Sequence, residues 1–130
     1  MNPEFFPLQQ ETYQIIGLCM EVQRILGYGF SEVIYKDAME LEFIDNDLAY
    51  RREKKYSVSY KNKQLEHQFY VDFSCFEQVI VEVKSSDKGI TPDHVAQILN
   101  YLKVTGCEVG LLVNFGRRKL EYQRFILTSD

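Results

Sequence analysis

Two carboxylates and a lysine lie close together in one stretch, and their types and spacing are the strongest chemical signal in the sequence. Residues Tyr70 to Lys84 read as two strands joined by a tight turn. Side chains alternate along a strand, so Val79, Val81 and Val83 share one face while Ile80, Glu82 and Lys84 share the other. A loop made of Phe76, Glu77 and Gln78 pairs Cys75 with Val79 and sets Asp72 directly opposite Glu82. Carboxylates facing each other across a ladder repel. Two groups could offset that repulsion: Lys84, two residues on along the same face, or a divalent cation. Taken alone, the same trio also reads as a solvated surface ion pair, which contributes little.

The elements that must position this trio follow from periodicity. Residues 1–10 read as a loosely held N-terminal arm, and residues 11–130 as a single domain. A helix is expected from near Glu11 or Thr12, with Ile15, Ile16, Cys19, Met20, Val22 and Leu26 as its apolar stripe. Gly27-Tyr28-Gly29 ends it. Ser31 is the expected N-cap of a second helix, about Glu32 to Ile44, with Val33, Ile34, Ala38, Met39 and Leu41 facing the core. Strands are expected over Tyr50–Tyr60, Gln64–Cys75 and Val79–Ser85. Thr91-Pro92-Asp93 then starts a third helix, with a threonine cap, proline in the first turn and an acid near the positive end of the dipole. Val95, Ile98, Leu99 and Leu102 supply its buried face, and Gly106 ends it. The apolar run Val109–Phe115 reads as a strand covered on both sides. A basic loop, Gly116 to Lys119, precedes a last strand of about Glu121 to Leu127. The first three strands can form a meander, and the strand after the third helix returns by crossover and adds in parallel. The expected class is therefore α/β (α+β), a mixed sheet flanked by helices in the order ααβββαββ.

Composition narrows the function classes. The chain has 130 residues, a formal charge of −4 and three scattered cysteines with no CxxC spacing. The acidic balance argues against a general nucleic-acid coat protein but leaves room for a local basic patch. The cysteines suggest reduced thiols and a cytoplasmic setting. No basic n-region or long apolar run marks a signal peptide or a membrane span. His67 and His94 have no partner at zinc spacing. Cys75 has no histidine in a recognisable relation to it, which favours a small buried residue over a nucleophile.

Gly29-Phe-Ser-Glu32-Val-Ile-Tyr35 reads as G-x-x-E-x-x-Y. Downstream come Asp72 on a strand, Glu82-Val-Lys84 as E-x-K, Gln97 and Tyr101 on a helix, and the segment Gly110 to Gly116. In this ordered set the chain resembles the GxxExxY protein family, a branch of the PD-(D/E)xK nuclease-like superfamily. The resemblance covers roughly Glu11 to Ile126, and it departs from the superfamily pattern in having Val71 rather than proline before Asp72.

The resemblance implies a restriction-endonuclease-like fold and a Mg2+-dependent nuclease that hydrolyses phosphodiester bonds of DNA or RNA with metal-activated water. It implies catalytic roles for Asp72, Glu82, Lys84, Glu32 and Gln97. Asp72 and Glu82 would bind Mg2+ or Mn2+ with the Val83 carbonyl as a third oxygen, and Glu32 would reach the same pocket. Hard divalent cations take such oxygen ligands and Mg2+ keeps several waters. Lys84 would stabilise charge in the transition state, and Gln97 would orient a water or a phosphate. Tyr35 and Tyr101 are candidate nucleic-acid contacts, with core or rim packing as the alternative. Arg117, Arg118 and Lys119 are candidate phosphate contacts, as are Arg51, Arg52, Lys54 and Lys55; the alternative for both clusters is a solubilising strand edge. Small nucleases of this kind commonly pair to cut two strands, so a homodimer is one expectation. The competing reading is a non-catalytic nuclease-fold binding or accessory module with another partner. The acidic net charge and the absence of a separate DNA-reading element favour that alternative.

Overall fold

The computed structural model describes residues 6–127, so the expected N-terminal arm lies partly outside the described residues. Eight elements follow in the order ααβββαββ: α1 (Gln9–Leu26), α2 (Glu32–Asp45), β1 (Tyr50–Tyr60), β2 (Lys63–Cys75), β3 (Val79–Lys84), α3 (Pro92–Thr105), β4 (Val109–Asn114) and β5 (Glu121–Ile126). The strands form one sheet in sequence order, antiparallel except for the parallel pair β3–β4. This is the expected meander followed by a crossover, and it places α3 on the face opposite α1 and α2.

Two apolar layers hold the sheet. On one face Ile15, Cys19 and Val22 of α1 and Tyr35, Met39 and Phe43 of α2 pack on Phe73, Val79, Val81, Val83, Leu111 and Val113. On the other, Ile98 and Leu102 of α3 cover Val71, Ile80 and Leu112. β3 and β4 are covered on both sides, which explains their unbroken apolar runs. The β2–β3 turn pairs Cys75 with Val79, as the three-residue loop requires. Phe76 and Glu77 sit there at positive φ, the backbone that closes such a turn. All three cysteines are free and buried. Burial pushes the Cys75 thiol up to about 12, consistent with a packing role.

Three helix expectations are corrected. Helix α1 begins at Gln9 rather than Glu11 or Thr12, and its Met20 is exposed. In α2 the buried stripe is Tyr35, Met39 and Phe43, at i, i+4, i+8, whereas Val33, Ile34 and Leu41 are exposed. The aromatic residues win because the sheet beneath α2 offers Phe73 and Phe115 as partners. In α3, Leu99 is exposed and Ile98 and Leu102 carry the burial. Ser31 occupies the α2 cap position with no side-chain cap hydrogen bond. Thr91 does cap α3: its Oγ1 accepts from the His94 N–H at 3.3 Å while His94 Nδ1 accepts from the Thr91 N–H at 3.1 Å.

The loop before α2 is held from within the core. Tyr35 is fully buried and stacks on Phe115 at 4.4 Å between centroids. Its hydroxyl donates to the Gly27 carbonyl at 2.7 Å and accepts from the Phe30 N–H at 3.3 Å. Gly29 adopts φ 110°, which strongly favours glycine. The glycine and tyrosine of the G-x-x-E-x-x-Y pattern thus shape a turn, and Tyr35 is a core residue unable to stack on a base. Tyr35→Phe removes both hydrogen bonds from a buried site and should lower stability by about 1–2 kcal/mol. A thermal melt of the variant against the parent checks this.

Candidate active site

The two carboxylates meet where the β2–β3 ladder gives out. Paired residues run from Cys75–Val79 to Phe73–Val81 and stop there. At the same level the alternation of β1 and β2 switches faces. Arg52 points toward α2, donating to Asp37 Oδ1 at 2.8 Å, but Tyr56 packs in the α3 layer. Phe73 lies in the α1–α2 layer, but Val71 lies in the α3 layer. Between them, Glu53 takes positive φ and Asp72 stands opposite it. Asp72 therefore belongs to neither face and projects into the gap left by the ladder.

Side-chain hydrogen bonds bridge that gap. Asp72 Oδ2 accepts from the Val83 N–H at 2.7 Å, and Glu82 Oε2 accepts from the Asp72 N–H at 2.7 Å. Each carboxylate thus replaces a lost ladder bond. The positive charge that offsets Asp72 is Lys36, a residue not singled out from the sequence. Its Nζ lies 3.1 Å from Asp72 Oδ1 and 2.6 Å from Glu53 Oε1. Burial alone would push the Lys36 ammonium down, but its hydrogen bonds and charge pairing with Glu53 and Asp72 outweigh this and raise it. The signal was present: Lys36 is one helical turn after Glu32, on the side of α2 that a functional Glu32 would present to the sheet.

Glu82 is buried on the α3 face. Burial first, and then the neighbouring Asp72 charge, push its carboxyl up to about 8; the Asp72 N–H, Lys84 and Lys36 offset this only in part. Lys84 Nζ donates to Gln97 Oε1 at 3.4 Å, which aims the ammonium across the cleft from α3. Tyr101, one turn after Gln97, stacks on Phe69 at 4.4 Å. Burial, and then the Glu82 and Asp72 charges, raise its hydroxyl, which locates it at the rim beside both acids. His94 is held low by burial and then by Lys84, with Glu32 and Asp93 pulling the other way. It is therefore a cleft-edge residue and a helix cap. His94 has no partner at zinc spacing in the sequence, so its place at the cleft follows only from the fold.

The expected residues separate into two groups. Asp72, Glu82, Lys84 and Gln97 converge. Glu32 is exposed on the first turn of α2. Glu32 lies close enough to His94 for its charge to act on that imidazole. Lys84 likewise serves Gln97, leaving Lys36 as the counter-ion of Asp72. Arg117, Arg118 and Lys119 are exposed just beyond β4; Arg117 donates from Nε to the Asp87 carbonyl at 3.1 Å and pairs with Glu121 at 3.6 Å. Of the other cluster, Arg52 is tied to Asp37 and Glu40 on α2.

The donor set suits a hard divalent cation. Glu82 Oε1 and the remaining lone pairs of Asp72 are oxygen donors. The N–H and C=O of one strand residue point the same way, so the Val83 carbonyl lies on the Asp72 side of β3. The next carbonyl, that of Lys84, turns to the other side and accepts from the Phe115 N–H at 2.9 Å. Two carboxylates and one carbonyl match Mg2+, which binds few protein oxygens and retains water.

Two outcomes follow from these charges. Between the ordinary carboxyl value of 4.5 and about 8, the unfolded chain has lost a proton that folded Glu82 still holds. Metal-free stability should therefore fall as pH rises through that window, by at most about 1.4 kcal/mol per pH unit. Glu82→Gln should flatten the slope, as chemical denaturation at several pH values would show. Lys36→Met leaves Asp72 without its ammonium in a partly buried site and should cost about 1–3 kcal/mol without metal. Added Mg2+ or Mn2+ should raise the melting temperature of this variant more than that of the parent.

No curated protein matches the chain. The crystal structure of SSO0001 is similar with a TM-score of 0.58 at 20% identity, over 95% of this chain and 61% of that one. The chain thus spans about 61% of the length of SSO0001. The crystal structure of a phage related exonuclease from Haemophilus somnus 129PT is similar with a TM-score of 0.44 at 9% identity, over 97% and 79% of the two chains. No described helix is long and apolar enough to cross a membrane. A family model for the PD-(D/E)XK nuclease superfamily matches residues 9–125, and on that match the chain belongs to that superfamily.

Proposed function

We propose that the protein is a divalent-metal-dependent phosphodiesterase that hydrolyses nucleic acid by direct attack of water. The observation that carries this reading is the convergence of Asp72, Glu82 and the Val83 carbonyl at the break in the β2–β3 ladder, with Lys84 one residue beyond. A Mg2+ or Mn2+ ion bound there would supply Lewis-acid charge at the phosphate and lower the pKa of water.

The residues of the chain divide the remaining work. Asp72 and Glu82 would hold the cation, and Glu82 would give up for it the proton that burial favours. Lys36 and the Val83 N–H hold the Asp72 carboxylate in one orientation, so the ligand pair is preorganised. Lys84 donates from its ammonium to a non-bridging phosphate oxygen as charge develops, with Gln97 fixing its direction. The attacking water forms a bond to phosphorus, the ester P–O bond breaks, and the proton follows to the leaving oxygen. β3 delivers Glu82, the Val83 carbonyl and Lys84 at its carboxyl end, where open α/β sheets place their ligands.

The test incubates the purified protein with nicked, linear and single-stranded DNA and with RNA, in Mg2+ and then Mn2+. Asp72→Ala and Lys84→Ala, purified in parallel, guard against contaminating nuclease. Cleavage by the parent should fall by about 100-fold or more in each variant. Metal binding without cleavage of any substrate would favour the accessory-module reading, and cleavage that survives in both variants would refute this site.

A further inference from the structure

The β1–β2 hairpin outruns the sheet. Its two strands pair from Tyr50–Cys75 to Tyr60–Lys63, but β3 pairs only with residues 73–75 of β2. In continued register Lys84, the last residue of β3, stands level with Tyr70. From there to Lys63 the ribbon runs on for about seven residue steps, roughly 23 Å at about 3.3 Å each. It overhangs the end of β3 that carries Glu82 and Lys84, on the same side as the cleft. Its base is braced by the stack of Tyr56 on Phe69 and Phe69 on Tyr101. Its tip is a tight turn with Lys61 and Asn62 at positive φ.

The charge of the ribbon is opposite to that of the chain. Residues 55–70 hold three Lys against one Glu, whereas the other 114 residues hold twelve Lys and Arg against eighteen acids. Lys55, Lys61 and Lys63 are exposed and have no salt-bridge partner among the described residues. Edge lysines can serve only to block pairing with other strands. That device does not account for Tyr60, Leu65 and Tyr70, which stand 61%, 43% and 54% exposed on the same ribbon.

We propose that this ribbon grips B-form duplex DNA, with Lys55, Lys61 and Lys63 on its phosphates, and so delivers a duplex to the cleft. The inference rests on the nucleic-acid reading of the cleft and specifies the form of its substrate. A two-stranded ribbon is an element that the about 12 Å major groove of B-DNA admits, whereas the deep, narrow major groove of A-form RNA does not. A local net charge of +2 on an acidic protein also restricts the contact to a short footprint rather than a coat.

The test separates binding from cleavage. Fluorescence anisotropy is measured in EDTA with a labelled duplex DNA of about 20 base pairs, the matching single strand and the matching RNA duplex, over a range of salt. The parent should bind the DNA duplex most tightly. The Lys55→Gln, Lys61→Gln, Lys63→Gln triple variant should lose about 10-fold or more in duplex affinity, and its log–log salt slope should be shallower by about 2–3. Lys103→Gln, on the last turn of α3 away from the cleft, should keep the parent slope. An unchanged slope in the triple variant, an equal change in Lys103→Gln, or parental preference for the single strand or the RNA duplex would each overturn the proposal. Ribbon-dependent binding without metal-dependent cleavage would support the ribbon and refute the phosphodiesterase; cleavage with ribbon-independent binding would do the reverse.

Discussion

The site depends on a short break in one β ladder. Backbone pairing between β2 and β3 ends at Phe73–Val81, and for the next step the carboxylates of Asp72 and Glu82 take over as hydrogen-bond acceptors for the opposite strands. A buried N–H left without an acceptor is costly, so these acids are structural before any metal arrives. The same break frees the Val83 carbonyl edge and turns Asp72 into the plane of the sheet. Three oxygen donors are thereby gathered on two neighbouring strands without a loop, which fixes their spacing more rigidly than a flexible segment would.

Charge balance in this break is deliberate and incomplete. Lys36 reaches Asp72 from α2, and Lys84 is turned toward Gln97 on α3, so the two lysines approach from opposite faces of the sheet. Among the described residues Glu82 makes no salt bridge, and burial together with the Asp72 charge holds its carboxyl above the ordinary value. A cation that binds both acids would compete with the Glu82 proton and share Asp72 with Lys36. For such a cation, affinity would be coupled to pH and to the α2 helix, not set by the carboxylates alone.

The mouth of the cleft is organised by two loops packed against each other. Asn114, fully buried, accepts from the Ser86 and Gly116 N–H groups through Oδ1 and donates through Nδ2 to the Ser86 carbonyl and Glu121. Gly116 lies so close to the Ser86 backbone that a Cβ there would overlap it at 2.3 Å. The segments leaving β3 and β4 are thus clamped together, which brings Arg117 alongside the loop that follows Lys84. Ser85 completes the ring by donating to the Phe30 carbonyl at 2.6 Å, joining the loop before α2 to the end of β3.

Element order, the parallel return of β4, the face alternation of β3 and the pairing of Cys75 with Val79 were all legible in the sequence. They rest on local periodicity and on turn length, which one chain segment carries by itself. The candidate acids and Lys84 were legible for the same reason, since they lie within thirteen residues of one hairpin. Which face of α2 is buried was not legible, because Val33, Ile34 and Leu41 compete with Tyr35, Met39 and Phe43, and only the aromatic partners on the sheet decide. Lys36 as the partner of Asp72 was not legible either: the pair is 36 residues apart and exists only because two strands switch faces at Glu53 and Asp72. Local sequence thus determined the secondary elements and which residues could do chemistry. Tertiary packing decided which of them meet, what charge each one carries and which stay outside, because those outcomes depend on burial and on neighbours from distant segments.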